Sequence, residues 1–185
     1  MSPVRAAVPG ARTDEYLATM TALWGNRRSD YSGRYTSFRG ATLGVTPMTP
    51  GGPPLWVGGN SEAALRRALR FGQAWHGTGV SPQDLPTIRQ QIDTIADGVD
   101  RDPTTLRLTT TAFVLPPGYR PHARLSMHHL GGAHATADSI IGELLELKRH
   151  GITACNLWIP VPPDHVPRAI DWLADNVLGA PELTT

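Results

Sequence analysis

From Pro54 to Leu178 short apolar runs alternate with amphipathic ones, and this alternation constrains the fold more than any other feature of the chain. "PLWVGG" reads as a short buried strand, and "SEAALRRALRFG" as a helix whose stripe is Ala64, Leu65, Ala68, Leu69 and Phe71, with Gly72 at its C-terminal stop. "QAWHGTG" is a second strand. "SPQDLPTIRQQIDTIADGVD" is a helix opened by Ser81, with Pro82 at the first helical position. "LRLTTTAFVLP" has the β-branched enrichment of a strand, and "TADSIIGELLELKRHG" is a helix capped by Thr136 or Asp138 and stopped by Gly151. "ITACNLWIP" is the last strand and "PDHVPRAIDWLADNVL" the last helix. Four strands alternating with four helices predict an α/β fold with a parallel sheet and right-handed crossovers. Each strand is apolar throughout, as expected where both sheet faces are covered, so Trp56 and Trp158 read as core residues. A complete eight-stranded barrel takes about 250 residues. The 185 residues here supply half that number of units.

Ahead of this region, Thr13 or Asp14 can cap a helix through "EYLATMTALW", where Tyr16, Met20, Leu23 and Trp24 recur at helical spacing. The next stretch, through "TPMTPGGP", is rich in glycine and proline and predicts an irregular excursion with one short hairpin around "YTSFRGATL". The expected organisation is an irregular segment over 1–12, a half-barrel over 13–179 and a tail over 180–185.

Composition excludes several function classes. A net charge of +1 gives no basis for nucleic-acid binding, and Arg66, Arg67 and Arg70 read as an exposed helix face. No apolar stretch approaches the roughly 18 residues of a membrane helix, and the N-terminus lacks a signal-peptide core, so a cytoplasmic protein is expected. The single cysteine, Cys155, cannot form an internal disulfide and reads as a buried structural thiol.

In parallel α/β proteins the chemistry gathers where strands lead into helix N-termini. Gly58 and Gly59 let a ligand approach the backbone closely, and Asn60 or Ser61 can cap the following helix while its first-turn N–H groups point outward, an arrangement suited to phosphate. The same glycines and cap also suit a plain strand-to-helix turn. The phosphate-binding motifs G-x-G-x-x-G and G-x-x-x-x-G-K-[ST] are not found. "GNSEA" resembles a nucleophile elbow with Ala63 in place of the last glycine, which would make Ser61 a serine-hydrolase nucleophile. Such elbows follow several strands, whereas a helix and a loop precede this one. His128, His129 and His134 cluster without metal-ligand spacing and read as a surface loop, so no metal is expected. His76 falls at the carboxyl end of the second strand, where a barrel would turn it toward the ligand mouth, although an ordinary hydrogen-bonded loop histidine fits the same position.

"TDEYLATMTALW", followed by "YSGRYTSFRGATLGVTPMTPGGPPLWVGGNSEAALRRALRFGQAW", resembles the C-terminal half of the luciferase-like monooxygenase family, particularly its flavin- or deazaflavin (coenzyme F420)-dependent oxidoreductases. The resemblance spans roughly Thr13 to Leu178 and rests on the order of its pieces. It implies a parallel (βα)4 half of a TIM-type barrel, with coenzyme F420, or alternatively FMN, in the barrel mouth and its phosphate-bearing tail near Gly58, Gly59, Asn60 and Ser61. It also implies hydride transfer to or from a small organic substrate, with no catalytic residue assigned. One departure is Gln73, where family members carry Asp. The resemblance further implies that the strands of the N-terminal half are lacking here. Two sheet edges and one apolar face would then stand open. Self-association into a barrel-like homo-oligomer, or pairing with a complementing half-barrel, is expected, and a non-catalytic half-barrel is the alternative to an enzyme.

Overall fold

The computed structural model describes residues 9–119 and 127–184. Helix α1 spans Pro9–Gly25 and leads into a hairpin of β1 (Ser29–Ser32) and β2 (Ser37–Ala41). The helix therefore starts at Pro9, ahead of Thr13, which corrects the irregular reading of residues 9–12; residues 1–8 of that segment lie outside the described residues. A proline at a helix start loses nothing, because its missing N–H would have had no acceptor there. The hairpin begins upstream of "YTSFRGATL", with the turn at Gly33–Thr36. Glu15 of α1 closes that turn, accepting from the N–H groups of Arg34 at 2.9 Å and of Tyr35 and Thr36 at 2.6 Å.

Then follow β3 (Trp56–Gly58), α2 (Glu62–Phe71), β4 (Ala74–Thr78), α3 (Leu85–Asp97), β5 (Arg107–Val114), β6 (His129–Leu130), α4 (Ala137–Arg149), β7 (Ile152–Trp158), α5 (Val166–Leu173) and α6 (Pro181–Thr184). The tail thus holds a short helix. Strands β3, β4, β5 and β7 lie side by side in parallel, and two-residue β6 pairs with the end of β5. This is the (βα)4 arrangement of half a TIM-type barrel. Among the described residues, β3 and β7 are edge strands with one partner each.

Among the described residues, only one sheet face is packed under helices. Val57, Trp75, Leu108, Ala112, Val114 and Ile152 point to that side and join Leu65, Leu69, Ile92, Ile140 and Leu147 in one core. The opposite face carries Trp56 and Trp158, which are 51% and 54% exposed and not core residues. An apolar run therefore overstates how far these strands are covered. Arg67 also differs from expectation. Its side chain is 14% exposed and meets Asp14 of α1 at 2.5 Å, so it joins two helices and does not lie on a solvated face.

Helix α2 is held at both ends. Ser61 caps its N-terminus, and at its C-terminus Arg101 Nη1 donates to the carbonyls of Ala68 (3.3 Å), Leu69 (2.6 Å) and Gly72 (2.7 Å). Replacing Arg101 with Ala leaves these acceptors without their cation and is expected to lower stability by about 1–3 kcal/mol, read as a lower urea midpoint at unchanged slope. Cys155 is half-buried on the helix-facing side of β7, and burial pushes its thiol up to about 11. At pH 8 iodoacetamide should therefore label it about a hundredfold more slowly than an exposed cysteine, with the rate rising as the pH climbs.

Candidate functional site

The turn after β3 is built from the core outward. Trp75 is fully buried, and its indole N–H donates to the Gly59 carbonyl at 2.7 Å. Gly77 makes room for that ring: a Cβ there would come within 2.6 Å of it. Gly59 sits at φ +120, a conformation glycine adopts without strain, and its N–H donates to the His76 carbonyl at 3.1 Å. Asn60 does not cap the helix. Its side-chain amide donates to the Thr78 carbonyl at 2.8 Å and accepts from the Thr78 N–H at 3.0 Å, fastening the turn to the end of β4. Ser61 is the cap, accepting from the Ala64 N–H at 3.3 Å. Among the described residues, the Ser61 hydroxyl forms no hydrogen bond with a histidine, as a nucleophile elbow would.

This geometry leaves the first-turn N–H groups of Glu62 and Ala63 as the open donors of the α2 N-terminus. The Glu62 carboxylate lies 2.5 Å from Arg66, which pairs its charge. Gly58 faces open space, the nearest atom to an added Cβ being the His76 carbonyl oxygen at 3.9 Å. Gln73 ties the start of β4 to the residue ahead of β3. Its Oε1 accepts from the Leu55 N–H at 2.6 Å, and its own N–H donates to the Leu55 carbonyl at 2.8 Å.

Beside the turn, parallel register sets which residues share the open face. Gly58 lies opposite His76, His76 opposite Thr109, Thr78 opposite Thr111, Thr111 opposite Asn156, and Phe113 opposite both Trp158 and His129. The His76 ring lies between the Thr109 and Thr111 hydroxyls at 2.9 Å each and stacks on Trp56 with centroids 6.2 Å apart. His76 is thus a strand residue on the open face and not a loop histidine. Phe113 contacts Trp158 at 5.0 Å and His129 at 5.9 Å between ring centroids. The face is aromatic at both edges and hydroxyl-lined between them.

The histidine cluster does not form one site. His128 Nε2 meets Glu143 at 2.5 Å, and the other Glu143 oxygen accepts from the Gly131 N–H at 3.2 Å, pinning the residues on either side of β6 to α4. His129 belongs to β6, and its Nε2 is buried without a hydrogen-bond partner. That corrects the surface-loop reading for His129, whereas His128 is a partly exposed loop residue just ahead of β6. A buried polar atom without a partner costs about 1–3 kcal/mol, and a ligand group is one way to recover it. Trp56, Thr109, Thr111, Phe113, His129, Asn156 and Trp158 were not evident as candidates from sequence, because they share a face with His76 only through the register of distant strands.

Fold and face together define a class: a parallel (βα)4 unit with one sheet face left open and a helix N-terminus at its carboxyl end. Residues 3–125 match the luciferase-like monooxygenase family, and the chain belongs to that family. An F420-dependent glucose-6-phosphate dehydrogenase of Beutenbergia cavernae is 29% identical over 135 residues, covering 71% of this chain and 39% of its own. An F420-dependent secondary alcohol dehydrogenase, solved with an F420-acetone adduct, superposes with a TM-score of 0.73 at 17% identity, over 96% of this chain and 63% of its own. A riboflavin lyase solved with modified FMN superposes with a TM-score of 0.62 at 15% identity, over 94% of this chain and 60% of its own. The chain thus spans well under half of this curated relative and about three fifths of these structures.

Because Asn60 engages both backbone groups of Thr78, Asn60→Asp would set a carboxylate against the Thr78 carbonyl. A loss of about 1–2 kcal/mol is expected, read by chemical denaturation.

Proposed function

We propose that this chain supplies the carboxyl-end wall of a cofactor site in a luciferase-like oxidoreductase, with coenzyme F420, or alternatively FMN, as the cofactor and a small organic molecule as substrate. The observation that carries this reading is the pairing of an open helix N-terminus at Glu62 and Ala63 with the aromatic and hydroxyl face that begins at Gly58 and His76. The residues present fit such a group. The free N–H donors and positive dipole end of α2 suit the phosphate of its tail, and Gly58 and Gly59 allow close approach. Trp56 and Trp158, the latter backed by the buried Phe113 ring, offer flat apolar surface to a fused ring system. His129 Nε2 is a buried polar atom in need of a partner at the same end of the sheet.

When bound, the cofactor supplies hydride exchange, two electrons and a proton moving as one unit. The chain's own residues hold and orient. The α2 N-terminus binds negative charge, Asn60 keeps the turn fixed to Thr78, and the stacked face excludes water from one side of the ring. No catalytic acid or base is assigned here. A small-molecule partner, and no nucleic acid, suits a face with this chemistry.

The exposure of Trp56 and Trp158 at the two edge strands favours a second reading, a non-catalytic half-barrel that covers this face by pairing with another copy or with a complementing chain. Light scattering that shows association, together with no binding of either cofactor, would select it.

Ala63→Asp tests the first reading without weakening the fold. Ala63 is exposed, and an acid in a helix's first turn stabilises the helix while repelling an anion placed there. Fluorescence titration with F420 and with FMN should show at least about a tenfold loss of affinity at unchanged or raised melting temperature. Equal affinity in the variant would remove the α2 N-terminus from the site.

A further inference from the structure

The hydrogen bonds around His76 fix more than its position. Thr109 Oγ1 lies 2.9 Å from the Trp75 carbonyl, and a carbonyl only accepts, so the single Thr109 proton is committed to that bond. Toward His76 Nδ1, also at 2.9 Å, the Thr109 oxygen can therefore act only as an acceptor. Nδ1 must carry the proton. In the neutral ring Nε2 then holds a lone pair, and the hydroxyl 2.9 Å away on Thr111 must donate to it. The chain Thr111 → His76 → Thr109 → Trp75 carbonyl runs in one direction from the open face into the backbone of β4.

The consequence lies at Thr111. It is half-buried on the open face, between Thr78 and Asn156 in register. With its proton turned to His76, its oxygen offers only lone pairs to a ligand. Neither threonine could impose this polarity alone, because a hydroxyl rotates freely to suit its partner.

We propose that His76 is a positioning residue that fixes Thr111 as a hydrogen-bond acceptor, so that this point on the face selects a ligand group carrying an N–H or O–H, as on a heteroaromatic ring or an alcohol, over a bare carbonyl. The proposal deepens the cofactor-site reading and rests on it. Trp56, stacked on the His76 ring, keeps the ring plane aligned with both threonines. Gly58, the neighbour of His76 on β3, has no side chain to compete for its nitrogens.

The test uses the full chain with ¹⁵N-labelled histidine at pH 8, above the ordinary imidazole titration near about 6.5. The His76 ring should show a protonated Nδ1 and an unprotonated Nε2. A protonated Nε2 overturns the proposal. Fluorescence titration with F420 and FMN is then compared for the wild type, Thr111→Val and Thr111→Ser. Valine keeps the branched shape and removes the oxygen; serine keeps the oxygen. About a tenfold weaker binding in T111V, with T111S within about twofold of the wild type, is expected. Equal binding by all three overturns the proposal and leaves the cofactor site standing. Wild-type protein that binds neither cofactor overturns both, a pattern distinct from the former.

Discussion

The parallel ladder through β5 is the constraint on which the rest of the structure depends. Arg107–Val114 bonds to β4 on one side and β7 on the other, and its alternating side chains divide the molecule into a packed half and an open half. Leu108, Ala112 and Val114 go under the helices; Thr109, Thr111 and Phe113 point to the opposite face, where Thr109 and Phe113 are themselves covered by side chains of that face. A slip of one residue would exchange these sets, burying hydroxyls among leucines and exposing the core. The threonine run "TTT" can occupy the centre because each hydroxyl has a defined use: Thr109 and Thr111 hold His76, while Thr110, fully buried on the helix side, donates to the Gly77 carbonyl at 3.2 Å.

The site turn is an extension of that packed half. Trp75 reaches from the core to the Gly59 carbonyl, and Gly77 leaves space for its ring. The start of α2 is thereby placed beside the sheet face by buried residues. Asn60 adds the second tie, from the turn to Thr78. Two anchors on consecutive residues account for how a glycine-rich junction can present N–H donors in one fixed direction.

Much of this was legible in the sequence. The order of strands and helices, the Ser61 and Thr136 caps and the glycine turn all follow from local signals, because periodicity, caps and turns are decided within a few residues. The position of His76 near the carboxyl end of a strand was legible too, although its partners were not. What sequence reading missed depends on pairing between distant segments. Trp56 and Trp158 look like core residues in an apolar run, and only the absence of a helix layer over their face, among the described residues, makes them exposed. His129 looks like loop sequence, since two residues of strand carry no periodic signal, and its place is set by pairing with Phe113. Asn60 looked like a cap because the cap and the clamp on Thr78 call for the same side chain, and only tertiary geometry separates them.

The central claim is that the ligand surface is the open sheet face together with the α2 N-terminus. Mapping amide chemical-shift changes in ¹⁵N-labelled protein as F420 or FMN is added tests it most directly. The account predicts that the largest changes fall on Gly59, Glu62 and Ala63, on His76 and Thr78, and on Thr111 and His129. Changes confined to the helix-covered side, around Leu147 and Cys155, or no changes with either cofactor, would contradict it.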